Sequence, residues 1–188
     1  MRMVRSTVRM LGGAGVVLFV SAGTFVYWQA WWFLFLNGLS STVINLYLLR
    51  NDPALLHRRL AAEEQGETQP VHKLFMLLLL VLGVAQLVVT GLDHRRGWSE
   101  VSLVVLSAAS FVFMVGAAVI FWVLRTNSHA SSIITVEEHQ PVISHGPYRW
   151  VRHPMYTGFL LMFATLPLVC GSYRGEAFFL PQLVLFIV

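Results

Sequence analysis

Residues 74–92 and 101–124 contain no Asp, Glu, Lys or Arg. An uncharged apolar run of about twenty residues is long enough to cross the ~30 Å hydrocarbon core of a bilayer as a helix. Inside that core, backbone N–H and C=O groups must find partners within the segment, so the runs are expected to be helices. Similar runs occupy residues 10–27, 31–49 and 155–170, the last one short and interrupted by Pro167. The stretch 178–188 is apolar but too short to cross the same core. The expected fold is therefore all-α: a polytopic transmembrane helical bundle with five full spans and the start of a sixth, as if the chain stopped in mid-span. Composition agrees. The 188 residues are 56% hydrophobic and 12% charged, where a soluble domain carries about 25% charged residues.

The N-terminus has the basic start and small residues of a secretory signal. Its apolar run, however, continues through Tyr27, Trp28, Trp31 and Trp32 into the next, which predicts a helical hairpin with an aromatic belt at its turn. Residues 50–70 are polar. Asp52-Pro53 signals a helix start, and Leu55, Leu56 and Leu60 share a side of a short helix expected at the membrane interface. Gly83, Gly91 and Gly116 suit close helix approach. With the N-terminus inside and five alternating spans, all Lys and Arg except Arg95, Arg96 and Arg174 fall on the inner side, an arrangement that follows the positive-inside rule. The basic residues flank spans and form no run suited to nucleic acid. Cys170 is the one cysteine, so an internal disulfide and a multi-cysteine metal site are excluded. His129, His139 and His145 match no usual ligand spacing, and no metal is expected.

Residues 125–154 form the long polar segment, expected to lie against the membrane face as a cofactor-binding stretch. Its richest part reads QPVISHGPYRWVRHPMYTG over residues 140–158. Gly146-Pro147 marks a turn. Arg149, Arg152 and His153 follow closely, and Pro154 suits the first turn of a new helix.

GPYRWVRHPMYTG, with Asn127 before it and Gly171-Ser172 after it, resembles the isoprenylcysteine carboxyl methyltransferase-like family, in its bacterial form. The resemblance extends to NDPALLHRR at residues 51–59 and LDHRRGWS at 92–99. It implies an integral membrane enzyme that uses S-adenosylmethionine (AdoMet) and sits in a bacterial inner membrane; the Lys/Arg asymmetry puts its N-terminus and cofactor site on the cytoplasmic side. It implies a methyl acceptor that is lipophilic or isoprenoid-like and carries a carboxylate, thiol or amine, reached among membrane lipids. It assigns AdoMet contacts to Gln140, Pro141, Val142, Ile143, Tyr148, His153, Pro154, Met155 and Tyr156, with a looser match near Ile133. Arg152 and His153 are the candidate catalytic residues. Methyl transfer requires the donor to be bound, the acceptor aligned and water excluded. Aromatic faces at Tyr148 and Tyr156 would attract a sulfonium. His153, Arg149 or Arg152 would hold a carboxylate, and backbone groups at Gln140–Ile143 would meet adenine edges. The family's C-terminal part, with an Arg and a Glu-rich motif, has no counterpart in this sequence, so the expected site is incomplete. Two alternatives stand beside this reading. One is a sterol-type membrane reductase using NADPH; the other is a scaffold or lipid-binding relative without chemistry.

Overall fold

The computed structural model describes residues 2–65, 69–128 and 144–187, and among these there are helices and turns but no strand. Seven α-helices run in order: α1 (Arg2–Ala22), α2 (Trp28–Asn51), α3 (Pro53–Gln65), α4 (Pro70–Arg96), α5 (Leu103–Thr126), α6 (Pro154–Val169) and α7 (Phe179–Ile187). Single 3-10 turns at Gly146–Arg149 and Arg174–Phe178 lead into α6 and α7. Four helices, α1, α2, α4 and α5, are long and apolar enough to cross a membrane, and α6 is a shorter apolar helix.

Each helix starts and stops where local chemistry dictates. The Asp52 carboxylate accepts from the Leu55 amide at 2.9 Å and caps α3, which turns Leu55 and Leu56 into the core beside Leu48 and Val123. Gly97, at φ 61°, ends α4 in the left-handed conformation open to glycine. Pro167 is accommodated in the last turn of α6, where its carbonyl accepts from the Ser172 amide.

Small residues set the helix spacing. A Cβ added at Gly116 would lie 2.8 Å from the Gly158 carbonyl, and one at Gly158 would lie 2.9 Å from the Gly116 carbonyl. The α5 and α6 backbones therefore touch. Gly91 brings α4 onto α1 in the same way, its Cβ position falling 2.8 Å from the Leu18 carbonyl. Gly83 differs from expectation: nothing lies within 4 Å of its Cβ position.

The hairpin turn between α1 and α2 departs from the aromatic-belt reading at one residue. Trp28 and Trp31 are exposed as a belt requires, but Tyr27 is 1% exposed. Its hydroxyl donates to the Cys170 carbonyl at 2.6 Å, and its ring stacks on His94 at 3.8 Å. Tyr27 thus joins three elements at one end of the bundle. Nearby, Asp93 accepts from the Ser99 and Ser172 hydroxyls. Deeper on the same face of α4, Gln86 donates to the Phe163 carbonyl and accepts from Gln182 of α7. α7 then continues until Phe186 meets Tyr156 and Phe75, near the beginnings of α6 and α4.

Candidate functional site

At the opposite end of the bundle, α5 gives way to the polar segment and α6 begins. Thr126 and Asn127 end α5, and the chain returns at Gly146–Arg149 directly against them. Gly146 has φ 63°, and a Cβ there would lie 2.9 Å from Thr126 side-chain atoms. Glycine is required on both counts. Pro147 is buried and fixes the turn; its carbonyl accepts from the Trp150 and Val151 amides at 3.1 and 3.2 Å. The Asn127 side-chain amide donates to the Tyr148 hydroxyl at 2.9 Å. The Tyr148 ring packs partly buried against the cluster containing Leu48, Val123 and Leu124.

His153 is the residue on which α6 starts, its carbonyl accepting from the Thr157 amide at 3.3 Å. Pro154 follows at the first helical position, buried. Helical geometry then divides the next two side chains. Met155 turns inward to the cluster that holds Tyr148. Tyr156 turns to lie nearly parallel to the His153 imidazole, with ring centroids 5.4 Å apart and an interplanar angle of 17°. The other side of the Tyr156 ring neighbourhood is Phe186, at 5.1 Å. Arg149, Arg152 and His153 are exposed, and among the described residues none of the three has a salt-bridge partner.

Of the expected site residues, Tyr148, Arg152, His153, Pro154, Met155 and Tyr156 therefore gather at one end of α5 and α6. Gln140, Pro141, Val142, Ile143 and the looser match Ile133 lie outside the described residues. The expected backbone contacts to adenine fall there too.

Beside this assembly is a cavity of about 780 Å³. Phe159 and Met162 of α6, and Ile120 and Leu124 of α5, form the wall it shares with the turn. The far wall is α2. Arg59 of α3 and Lys73 of α4 line the same cavity. The sequence reading passed over its polar side: Asn37, Ser41 and Asn45, spaced by four on α2. That spacing inside an apolar span was the available signal, since polar residues at membrane depth face a cavity or another helix.

With this geometry in place, comparison with known families bears on the C-terminal part. Residues 105–188 match the model of the Isoprenylcysteine carboxyl methyltransferase (ICMT) family. The match covers α5 from its third residue, α6, α7 and the whole polar passage, and it bears out the resemblance read from GPYRWVRHPMYTG. Together with the four long apolar helices, it supports a membrane methyltransferase. No curated protein and no solved structure matches the chain.

Proposed function

We propose that the chain is an integral membrane methyltransferase that takes its methyl group from AdoMet and delivers it to a lipophilic acceptor. The observation that carries this reading is adjacency. Tyr148 and Met155 pack in one cluster with Ile120, Leu124 and Phe159, and these last three line the cavity between the helices. In this reading a polar donor site adjoins an acceptor cavity with a mostly apolar wall on its α5 and α6 side.

The described residues suit AdoMet. Arg149, Arg152 and His153 offer exposed donors without an ion pair among the described residues, matched to a carboxylate. The stacked pair His153–Tyr156 offers an aromatic face, matched to a cationic sulfur. Bound AdoMet would supply an activated methyl group, so no metal or covalent protein nucleophile is needed. The protein's own contribution is positioning. Pro154 and the His153 carbonyl fix the start of α6. Tyr148 holds the turn to α5 through Asn127. The apolar walls keep water from the acceptor end. Arg152 and His153 are the residues assigned to donor alignment. The concentration of Lys and Arg at this end supports a cytoplasmic site, where AdoMet is available, in a bacterial inner membrane.

The test is AdoMet binding to the purified chain in detergent, with Tyr148→Ala and His153→Ala beside it and NADPH as a competitor. Saturable AdoMet binding weakened by both substitutions is expected. Binding that NADPH displaces and AdoMet does not would replace the methyltransferase reading with a reductase.

A further inference from the structure

The two tyrosines of the candidate site are held in different ways. The Tyr148 hydroxyl accepts from the Asn127 side chain. The Tyr156 hydroxyl has no hydrogen bond to any described residue, and its ring is held by other rings. The His153 imidazole lies against it at 5.4 Å, and Phe186 of α7 meets it at 5.1 Å with the planes 59° apart. The imidazole is exposed and makes no hydrogen bond to a described residue, so it does not anchor the pair. The fixed member is Phe186.

Two other helices fix that ring. Phe75 of α4 meets Phe186 edge to face, with centroids 5.6 Å apart and planes at 87°, and Phe163 of α6 lies 6.4 Å away. Both separations fall in the range that aromatic pairs favour. One turn earlier on the same face of α7, Gln182 is fully buried and donates to the Gln86 side chain of α4 at 3.0 Å. Gln86 in turn donates to the Phe163 carbonyl at 3.2 Å. Breaking a buried amide pair between apolar helices is costly. The Gln182–Gln86 bond therefore sets the rotation of α7 about its axis, and with it the direction of Phe186. A ring carried by α7 and fixed by α4 and α6 thus bears on Tyr156.

We infer that Phe186 is a positioning residue for the methyl donor: it sets the orientation of the Tyr156 ring, and through that ring the His153 imidazole, toward the donor's sulfonium. The inference rests on the AdoMet reading and adds α7 to the elements on which the donor site depends. A ring attracts a cation over its face and not at its edge. Its orientation therefore affects a charged sulfur far more than a neutral one.

The experiment is calorimetric titration of the full chain in nanodiscs with AdoMet, whose sulfur is cationic, and with S-adenosylhomocysteine, whose sulfur is neutral. Tyr156→Leu should weaken AdoMet about fivefold, within the range of one cation–π contact, and S-adenosylhomocysteine by less than about twofold. Phe186→Leu should show the same split although it leaves Tyr156 in place, and Phe186→Tyr, which keeps the ring, should restore AdoMet affinity. Unfolding midpoints accompany the titrations. If Phe186→Leu does not fold, Phe75→Leu, which removes one ring behind Phe186, is read in its place and should show the split at about twofold. A purely structural role would weaken both ligands alike. Equal weakening of the two, or of neither, in a folded variant sinks this inference alone while the unsubstituted chain binds AdoMet. No saturable AdoMet binding by the unsubstituted chain sinks the donor reading and this inference with it.

Discussion

The Asn127 side chain and the Tyr148 hydroxyl are joined by a 2.9 Å hydrogen bond that ties the end of α5 to the turn preceding α6. The hydroxyl already accepts from the protein, so under the proposed AdoMet reading the tyrosine's share in binding rests mainly on its ring. Tyr148→Phe should keep the ring and lose about 1 kcal/mol of stability, one typical hydrogen bond. AdoMet affinity should fall less than about fivefold in this variant and considerably more in Tyr148→Ala. Thermal unfolding and titration calorimetry on the two variants check this. Equal losses of affinity would assign the contact to the hydroxyl instead.

The α5–α6 contact depends on two glycines. A Cβ at Gly158 would lie 2.6 Å from the Ile120 side chain and 2.9 Å from the Gly116 backbone carbonyl. The carbonyl belongs to a helix and cannot turn aside. Gly158→Ala should therefore destabilise the bundle by about 1–3 kcal/mol through overpacking and weaken donor binding by moving the start of α6. Gly83→Ala is the control. Its Cβ position is open, and alanine is favoured over glycine within a helix by up to about 1 kcal/mol. It should leave stability unchanged or slightly raised, as read from unfolding midpoints in one detergent.

The membrane bundle was legible because its signals are local. Uncharged runs long enough to cross a bilayer leave helices as the only outcome, and Asp52-Pro53 and Pro154 mark helix starts by steric and capping rules that need no tertiary information. The candidate site was legible for a similar reason: Tyr148, His153 and Tyr156 are close in sequence, and one turn of helix suffices to stack His153 on Tyr156. Contacts over long separations were not. Tyr27 resembles a belt residue until Cys170, 143 positions away, accepts its hydroxyl. Gly83 and Gly158 look alike in sequence, and only the partner helix decides which is needed. Asn37 and Ser41 were passed over because the cavity they line is formed with five other helices, distant in sequence.

Asp93 is another residue whose role depends on distant partners. It is 1% exposed. One carboxylate oxygen accepts from the Ser99 hydroxyl at 2.6 Å, from the Ser172 hydroxyl 79 residues away, and from the Arg174 amide at 3.4 Å. The two sequence stretches LDHRRGWS and Gly171-Ser172 are thereby clasped at the end of the bundle remote from the candidate site. Asp93→Ala should strand these donors and destabilise by more than about 2 kcal/mol, since each buried donor left unpaired costs about 1–3 kcal/mol. Ser99→Ala should cost about 1 kcal/mol. Hydrogen exchange should quicken at the Arg174 amide in Asp93→Ala. Unchanged exchange there would mean that the clasp does not hold the 171–178 connection.

Glu176, in the turn between α6 and α7, gives the bundle a pH-dependent stability. Desolvation raises its pKa from 4.5 to about 7, against a smaller lowering by a backbone hydrogen bond at Leu168. One of its carboxylate oxygens is buried without a partner among the described residues. The folded chain therefore holds this proton more tightly than the unfolded chain does. Between about pH 4.5 and pH 7 the folded state binds the more protons, so stability falls as pH rises through that window. It is greatest below the unfolded pKa and levels off above the folded one. Because the side chain is only half-buried, solvent tempers the size of the effect but not its sign. The unfolding midpoint should decline from pH 5 to pH 7.5 in the native sequence, and Glu176→Gln should flatten that decline. A midpoint that rises over the same range, or a slope untouched by Glu176→Gln, would assign the dependence to another group.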